Sequence, residues 1–351
     1  MTSEISKTKM ARKSKGAKAR RSRKVSVITG FISLAVLISW ALAGMWFVHH
    51  SRRWLATTLE DWPVIVTAPL MWMGNPISDI TDGLGITGHD AVYEYDEEAP
   101  IGNVTFAGTP KHVSAPAPND VRIIDRGEFL IGWSDTLRHP LWCAYHVAKE
   151  CKFGDGKRPS FMLDKTIAKS PRPEDYTHQG YDRGHMVPNH AIISRYGEDA
   201  RRKTFMMSNI SPQAAALNRG VWRDVEHRIA DLWTARYGEI WVIIGAIPSS
   251  ENRKLGTTGI DIPDAYYQIV IAQEDQDVRA FAVLFEQDVQ WGAWPTRYLI
   301  TIDELETLTG LDFNPEMPSF IQDPLEAELP SRLWPVRAID IFSQIASHFT
   351  N

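Results

Sequence analysis

Between Tyr181 and Asn189 the chain sets an acid, a cation, a glycine and an imidazole in direct succession, Asp182-Arg183-Gly184-His185. It then blocks helix formation with Pro188. Such a set suits the attack of water on a phosphate ester. Hydrolysis needs a base that works near neutral pH, and His185 is the candidate. It also needs positive charge where the phosphorane and the leaving oxygen gather negative charge, which Arg183 or a divalent metal can supply. Gly184 between them permits a turn or a close approach of backbone to ligand. Asp182 can pair with Arg183 or brace a loop.

A ligand for the metal is offered further on. Val221, Val225, Ile229 and Leu232 recur at i, i+4, i+8 and i+11, one apolar stripe on a helix over 219–237. Asn218 stands at its N-terminal end. Magnesium takes oxygen ligands and keeps most of its waters, so one amide oxygen with acids behind it can hold the ion. Manganese fits the same donors. Trp222 and Glu226 follow Asn218 at i+4 and i+8, drifting about 40° per step and flanking the stripe. Glu226 could there hold metal-bound waters. Each residue also has a plainer role: Asn218 as a helix N-cap, Glu226 as a solvated helix acid, Asn209 near Pro212 as a turn residue, His185 as a structural histidine. Taken singly, none marks a site.

Their order does. Asp182-Arg183-Gly184-His185 is followed by Met207-Ser208-Asn209-Ile210-Ser211-Pro212-Gln213, then by Leu217-Asn218-Arg219-Gly220-Val221-Trp222, with Glu226 eight beyond Asn218. Together these blocks resemble the DNA/RNA non-specific endonuclease family of the ββα-metal superfamily. Flanking likenesses in Trp142-Cys143-Ala144-Tyr145-His146-Val147 and in the stretch from Thr301 to Leu311 extend the resemblance over roughly 125–315. The resemblance implies an α+β fold with a ββα-metal core and a mixed or antiparallel sheet. It implies His185 as general base, Asn218 as direct Mg2+ ligand, Glu226 orienting metal waters, Asn209 supporting the site and Arg183 stabilising phosphate charge. The family also draws an arginine from the loop before the motif, for which Arg158 is the match. DNA and RNA are the implied substrates, contacted through phosphate more than base edges.

The elements that must position these groups are legible as periodicity. Strands are predicted at 129–133, 141–147, 240–247, 265–272 and 278–285, and helices at 198–207, after Thr301, and over 336–349. Mixed strands and helices in this order argue for α+β. Cys143 and Cys151 can pair only if the chain folds back between them; otherwise they are two structural thiols.

The N-terminus has a different character. Residues 1–24 hold ten Lys or Arg against one acid, leaving the rest with 28 basic and 42 acidic residues, a net of −14. Any nucleic-acid site must therefore be a local basic cleft. Residues 25–48 carry no charge over 24 positions, enough at about 1.5 Å per residue to span a bilayer core. The cations before it place the N-terminus in the cytoplasm and the rest outside it, in the periplasm or beyond. A cleaved signal peptide is the rival, since Ala41-Leu42-Ala43 has small residues at the needed spacing.

The expected organisation is a basic tail (1–24), a transmembrane anchor (25–48), a juxtamembrane and acidic lead-in (49–120), an endonuclease domain (121–315) and a C-terminal extension (316–351). Two other functions share these features: an inactive tethered domain that binds nucleic acid or protein, and a phosphodiesterase acting on a different diester.

Overall fold

The computed structural model describes residues 93–94, 104–115, 118, 120–149, 157–274 and 277–335. The expected anchor at 25–48, the apolar stretch after it, Cys151 and the helix expected over 336–349 lie outside the described residues. Among the described residues no helix is long and apolar enough to cross a membrane.

The fold is organised by a strand with no solvent face. In β5 (His139–Val147) nearly every residue is buried. Successive side chains of a strand point to opposite faces, so such a strand needs packing on both. Accordingly Cys143, Tyr145 and Val147 enter one apolar core, while Trp142 and Ala144 enter another. Its neighbours are β4 (Phe129–Ser134) and β8 (Ile240–Ile247), both predicted from their Val, Ile and aromatic content. Outward from β8 come β9 (Ala265–Glu274), β10 (Asp277–Glu286) and then β1 (Tyr93–Glu94), with β11 (Leu299–Ile300) also on β10. Outward from β4 comes β3 (Val121–Asp125). Every ladder among the described residues is antiparallel.

On the first face lies a second, smaller ladder, β6 (Asp182–His185) against β7 (Ile210–Gln213). Between these strands run helices α1 (Asn189–Tyr196) and α2 (Glu198–Thr204). Helix α3 follows as four consecutive helical segments, Leu217–Val221, Trp222–His227, Arg228–Trp233 and Thr234–Tyr237. The predicted stripe of Val221, Val225, Ile229 and Leu232 packs into the first core. The other face carries α4 (Ile302–Thr309) and α5 (Ser319–Ala327), whose Ile302, Leu305, Ile321 and Leu325 enter the second core.

Helix α4 begins where its sequence says it should. Thr301 and Glu304 bond reciprocally to each other's backbone N–H, and Gly310 ends the helix at a φ of +71°. The Gly310 carbonyl accepts from Val113 and Ser114, and β2 (Lys111–His112) pairs with β12 (Leu311–Asp312). Part of the expected acidic lead-in is thus packed: Phe106 stacks edge-on against Trp241 at 5.2 Å and is buried. At the other end, Trp233 donates its indole N–H to the carbonyl of Trp334, drawing the C-terminal extension onto the first core.

Candidate active site

Strand β6 carries the motif, and alternation along it decides what each residue touches. Arg183 and His185 share one side. The His185 ring lies 5.3 Å from Phe161 and 4.8 Å from Phe205, and the Arg183 guanidinium sits 5.6 Å over Phe161. Arg158 covers the same pair of phenyl rings, 5.9 Å from Phe161 and 5.3 Å from Phe205. The result is an imidazole walled by two aromatic rings with two guanidinium groups beside them. Among the described residues its buried Nε2 has no hydrogen-bond partner. Burial, and secondarily the charge of Arg158, pushes the His185 pKa down to about 3, which keeps the ring neutral.

Arg183 is held in place by donating to the Pro173 carbonyl, at 3.0 Å from Nε and 2.6 Å from Nη2, and to the Thr177 hydroxyl at 3.2 Å.

Asp182 points to the other side, which is why it does not pair with its neighbour Arg183. Its carboxylate accepts from Asn218 Nδ2 at 2.9 Å and from Arg219 Nε at 2.7 Å. These bonds hold its pKa below the usual carboxylate value against the opposing effect of burial. Asn218 is therefore not a helix N-cap. Its amide nitrogen is engaged by Asp182, and no group among the described residues donates to its Oδ1. The turn that bears it, Leu217–Val221, has the wider i→i+5 geometry, and Gly220 breaks it with a φ of −104° and ψ of −117°.

Gly184 does not make a turn. It lies within β6 and is needed for close approach, since a Cβ there would stand 2.1 Å from Oε1 of Gln213.

Asn209 does more than a turn residue would. It is fully buried, accepts the Val187 N–H at 2.9 Å, and donates to the carbonyls of Val187 at 2.9 Å and Thr204 at 3.0 Å. With the Met186 N–H bonded to the Asn209 carbonyl at 2.9 Å, the backbone just beyond His185 is tied down. Cys143, buried and unpaired, places its Sγ 3.9 Å from Asn209 Oδ1.

Glu226, on α3, faces inward and not into solvent. Burial pushes its carboxyl up to about 8, against smaller opposing effects of Trp222 and Arg223. The Trp222 indole N–H is close enough to favour the carboxylate, and among the described residues neither it nor the buried Tyr145 hydroxyl, within the field of Glu226, meets a hydrogen-bond partner at normal geometry. The oxygen donors here, the Glu226 carboxyl and the Asn218 Oδ1 to which no described residue donates, are of the kind a hard, hydrated divalent cation takes.

Phe161 and Phe205, the walls around His185, were missed by sequence reasoning. So was the link from Asp182 to α3. The apolar run Phe161-Met162-Leu163 in a mostly polar loop was an available signal.

The model of the DNA/RNA non-specific endonuclease family matches residues 108–320. The mitochondrial nuclease EXOG of Mus musculus is 26% identical over 207 residues, covering 53% of this chain and 55% of that protein. A nuclease of Serratia marcescens is 28% identical over 217 residues, 58% of this chain and 79% of its own. The chain spans about half the length of the EXOG relatives it matches. The crystal structure of the EndoG/EndoGI complex shares the fold with a TM-score of 0.50 at 19% identity, covering 56% of this chain and 86% of that one. With the matched segment containing β6, β7 and α3 entire, the chain belongs to the DNA/RNA non-specific endonuclease family.

Proposed function

We propose that this chain is a magnesium-dependent endonuclease that hydrolyses phosphodiester bonds in DNA and RNA with little regard for sugar or base. One observation carries the reading most: the imidazole of His185 stands between aromatic walls with Arg158 and Arg183 alongside, on the strand that bonds Asn218.

His185 takes the proton of the attacking water at its free Nε2. A base with a pKa of about 3 would be weak, but a bound phosphodiester offsets the charge of Arg158 that helps depress it. Substrate would relieve only that smaller, coulombic cause, while burial, the larger one, persists. Arg158 and Arg183 face the phosphate and stabilise its growing negative charge. Both contact phosphate, which every nucleic acid presents alike.

Asn218 would hold the metal through Oδ1, with Asp182 fixing the amide by its other end. Eight residues of helix rise about 12 Å, and helical side chains lean toward the N-terminus, so Glu226 reaches back to the metal's waters and not to the metal itself. When bound, the ion supplies positive charge for the phosphorane and the leaving oxygen. Asn209 contributes by holding the backbone after His185.

We further infer from residues 1–48 that the enzyme is tethered by a single membrane span, with its N-terminus cytoplasmic and the catalytic part on the opposite side. Cleavage of supercoiled plasmid and of single-stranded RNA by the full chain, with and without EDTA, tests the activity. Turnover of both in magnesium and none in EDTA is expected. Binding without turnover would leave the inactive tethered domain, and cleavage of a small diester alone would point to a different substrate.

A further inference from the structure

We propose that Asp303, Glu306 and Glu326, with the carboxamide oxygen of Asn314, form a binding site for a calcium ion on the face of the sheet opposite His185. The inference is independent of the catalytic reading. One carboxylate oxygen from each of the three acids lies within 4.8 Å of the other two. Asp303 and Glu306 are three apart on α4 and so share a helix face. Glu326 comes from α5 and is 2% exposed.

Among the described residues no lysine, arginine or histidine neutralises any of them, while Asp312 and Asp323 add further negative charge nearby. Glu326 is buried, Glu306 half-buried and Asp303 exposed; Glu306 accepts the Phe313 N–H at 2.9 Å and Glu326 accepts from Asn314, neutral donors that leave the crowded negative charge uncompensated.

A second observation points to a ligand. Asn314 is fully buried, and its Nδ2 donates to Glu326 Oε1 at 2.8 Å, which sets the carboxamide beside that acid. Yet its Oδ1 has no hydrogen-bond partner. A buried carbonyl oxygen left unsatisfied beside three acids is an acceptor waiting for positive charge. A cation answers both needs at once.

The donors are all oxygen, three carboxylates and one amide, with no imidazole or thiolate, which selects a hard ion over zinc. Calcium accepts irregular sets of six to eight oxygens, including bidentate carboxylates and water, whereas magnesium demands a near-ideal octahedron. Glu326 lies beyond residue 320, where the family match ends, so the site spans that boundary. Binding there would tie α5 to α4, over the packing of Ile321 and Leu325 with Ile302 and Leu305.

The test uses the full chain carrying Asn218→Ala, which removes the proposed catalytic ligand, stripped with EDTA and titrated with calcium chloride by calorimetry and thermal unfolding. One saturable event and a rise in Tm of about 5 °C or more near a hundredfold excess over Kd are expected. Adding Glu326→Gln should weaken binding at least tenfold and remove the rise. Asp303→Asn, at an exposed side chain that bears no packing, must do the same if the glutamine variant fails to fold. Absence of binding, or binding that survives both substitutions, overturns the site.

Discussion

Glu226 and Glu326 make an instructive pair. Each is a carboxyl on a helix packed against the central sheet, and burial pushes each up to about 8, but they lie on opposite faces among different company. Around Glu226 stand Trp222, Arg223 and Tyr145, so a single acid sits among donors. Around Glu326 stand Glu306, Asp312 and an amide, so several acids crowd together. Burial raises a carboxyl in either setting; the neighbours decide what it can do. A lone acid among donors is suited to orienting water. A crowd of acids can share protons or take a cation into direct contact.

The largest effect that would separate the two faces is at the proposed base. His185→Ala should lower plasmid cleavage by roughly 10²–10⁴-fold with calcium-dependent unfolding unchanged. Full activity would remove His185 from the mechanism. Next, Glu226→Gln should reduce turnover by about tenfold to a hundredfold, as for groups that orient a metal's waters. Glu326→Gln should leave kcat within about twofold, given additivity between distant sites. Equal losses in steady-state assays would abolish the distinction between the faces.

A smaller effect concerns the tight seam between β6 and β7. Gly184→Ala forces its new methyl against Gln213 and should destabilise by about 1–3 kcal/mol in urea titrations. Shortening the partner with Gln213→Ala should recover part of that. Destabilisation that persists unchanged in the double variant would show the strain lies elsewhere.

The subtlest effect is on pH dependence, where the groups oppose one another. The folded pKa of His185 is depressed to about 3 from 6.5, so the unfolded chain takes up the proton first. The contribution is present above 6.5 and lost as pH falls toward 3. The two glutamates are raised to about 8 from 4.5, so in metal-free protein their contribution is present below 4.5 and lost as pH rises through 8. Thermal unfolding across pH 4–9 should therefore show a shallower acid-side decline in His185→Asn and a shallower alkaline decline in Glu326→Gln. Identical profiles for variants and parent would contradict these assignments.

What was readable in the sequence was local. The stripe of Val221, Val225, Ile229 and Leu232 needs only the helical period, and the strand at Ile240–Ile247 needs only a run of β-branched residues. The cap at Thr301 and Glu304 is a bond across three residues. The ordered blocks from Asp182 to Glu226 likewise named the residues for which catalytic roles are proposed.

Tertiary structure alone decided their partners. Asp182 turned to Asn218 and Arg219, some 37 residues on, and not to the adjacent Arg183, because neighbouring strand residues face apart. Phe205 came to wall His185 only through the return of the chain after α1 and α2. Glu326 reads in sequence as one more helix acid, and nothing near it announces burial beside Asn314. Period and capping act over one or two turns of chain and are written in residue types. Burial, charge pairing and the pKa of a base depend on which distant surfaces the sheet brings together, and that is settled only when the whole core packs.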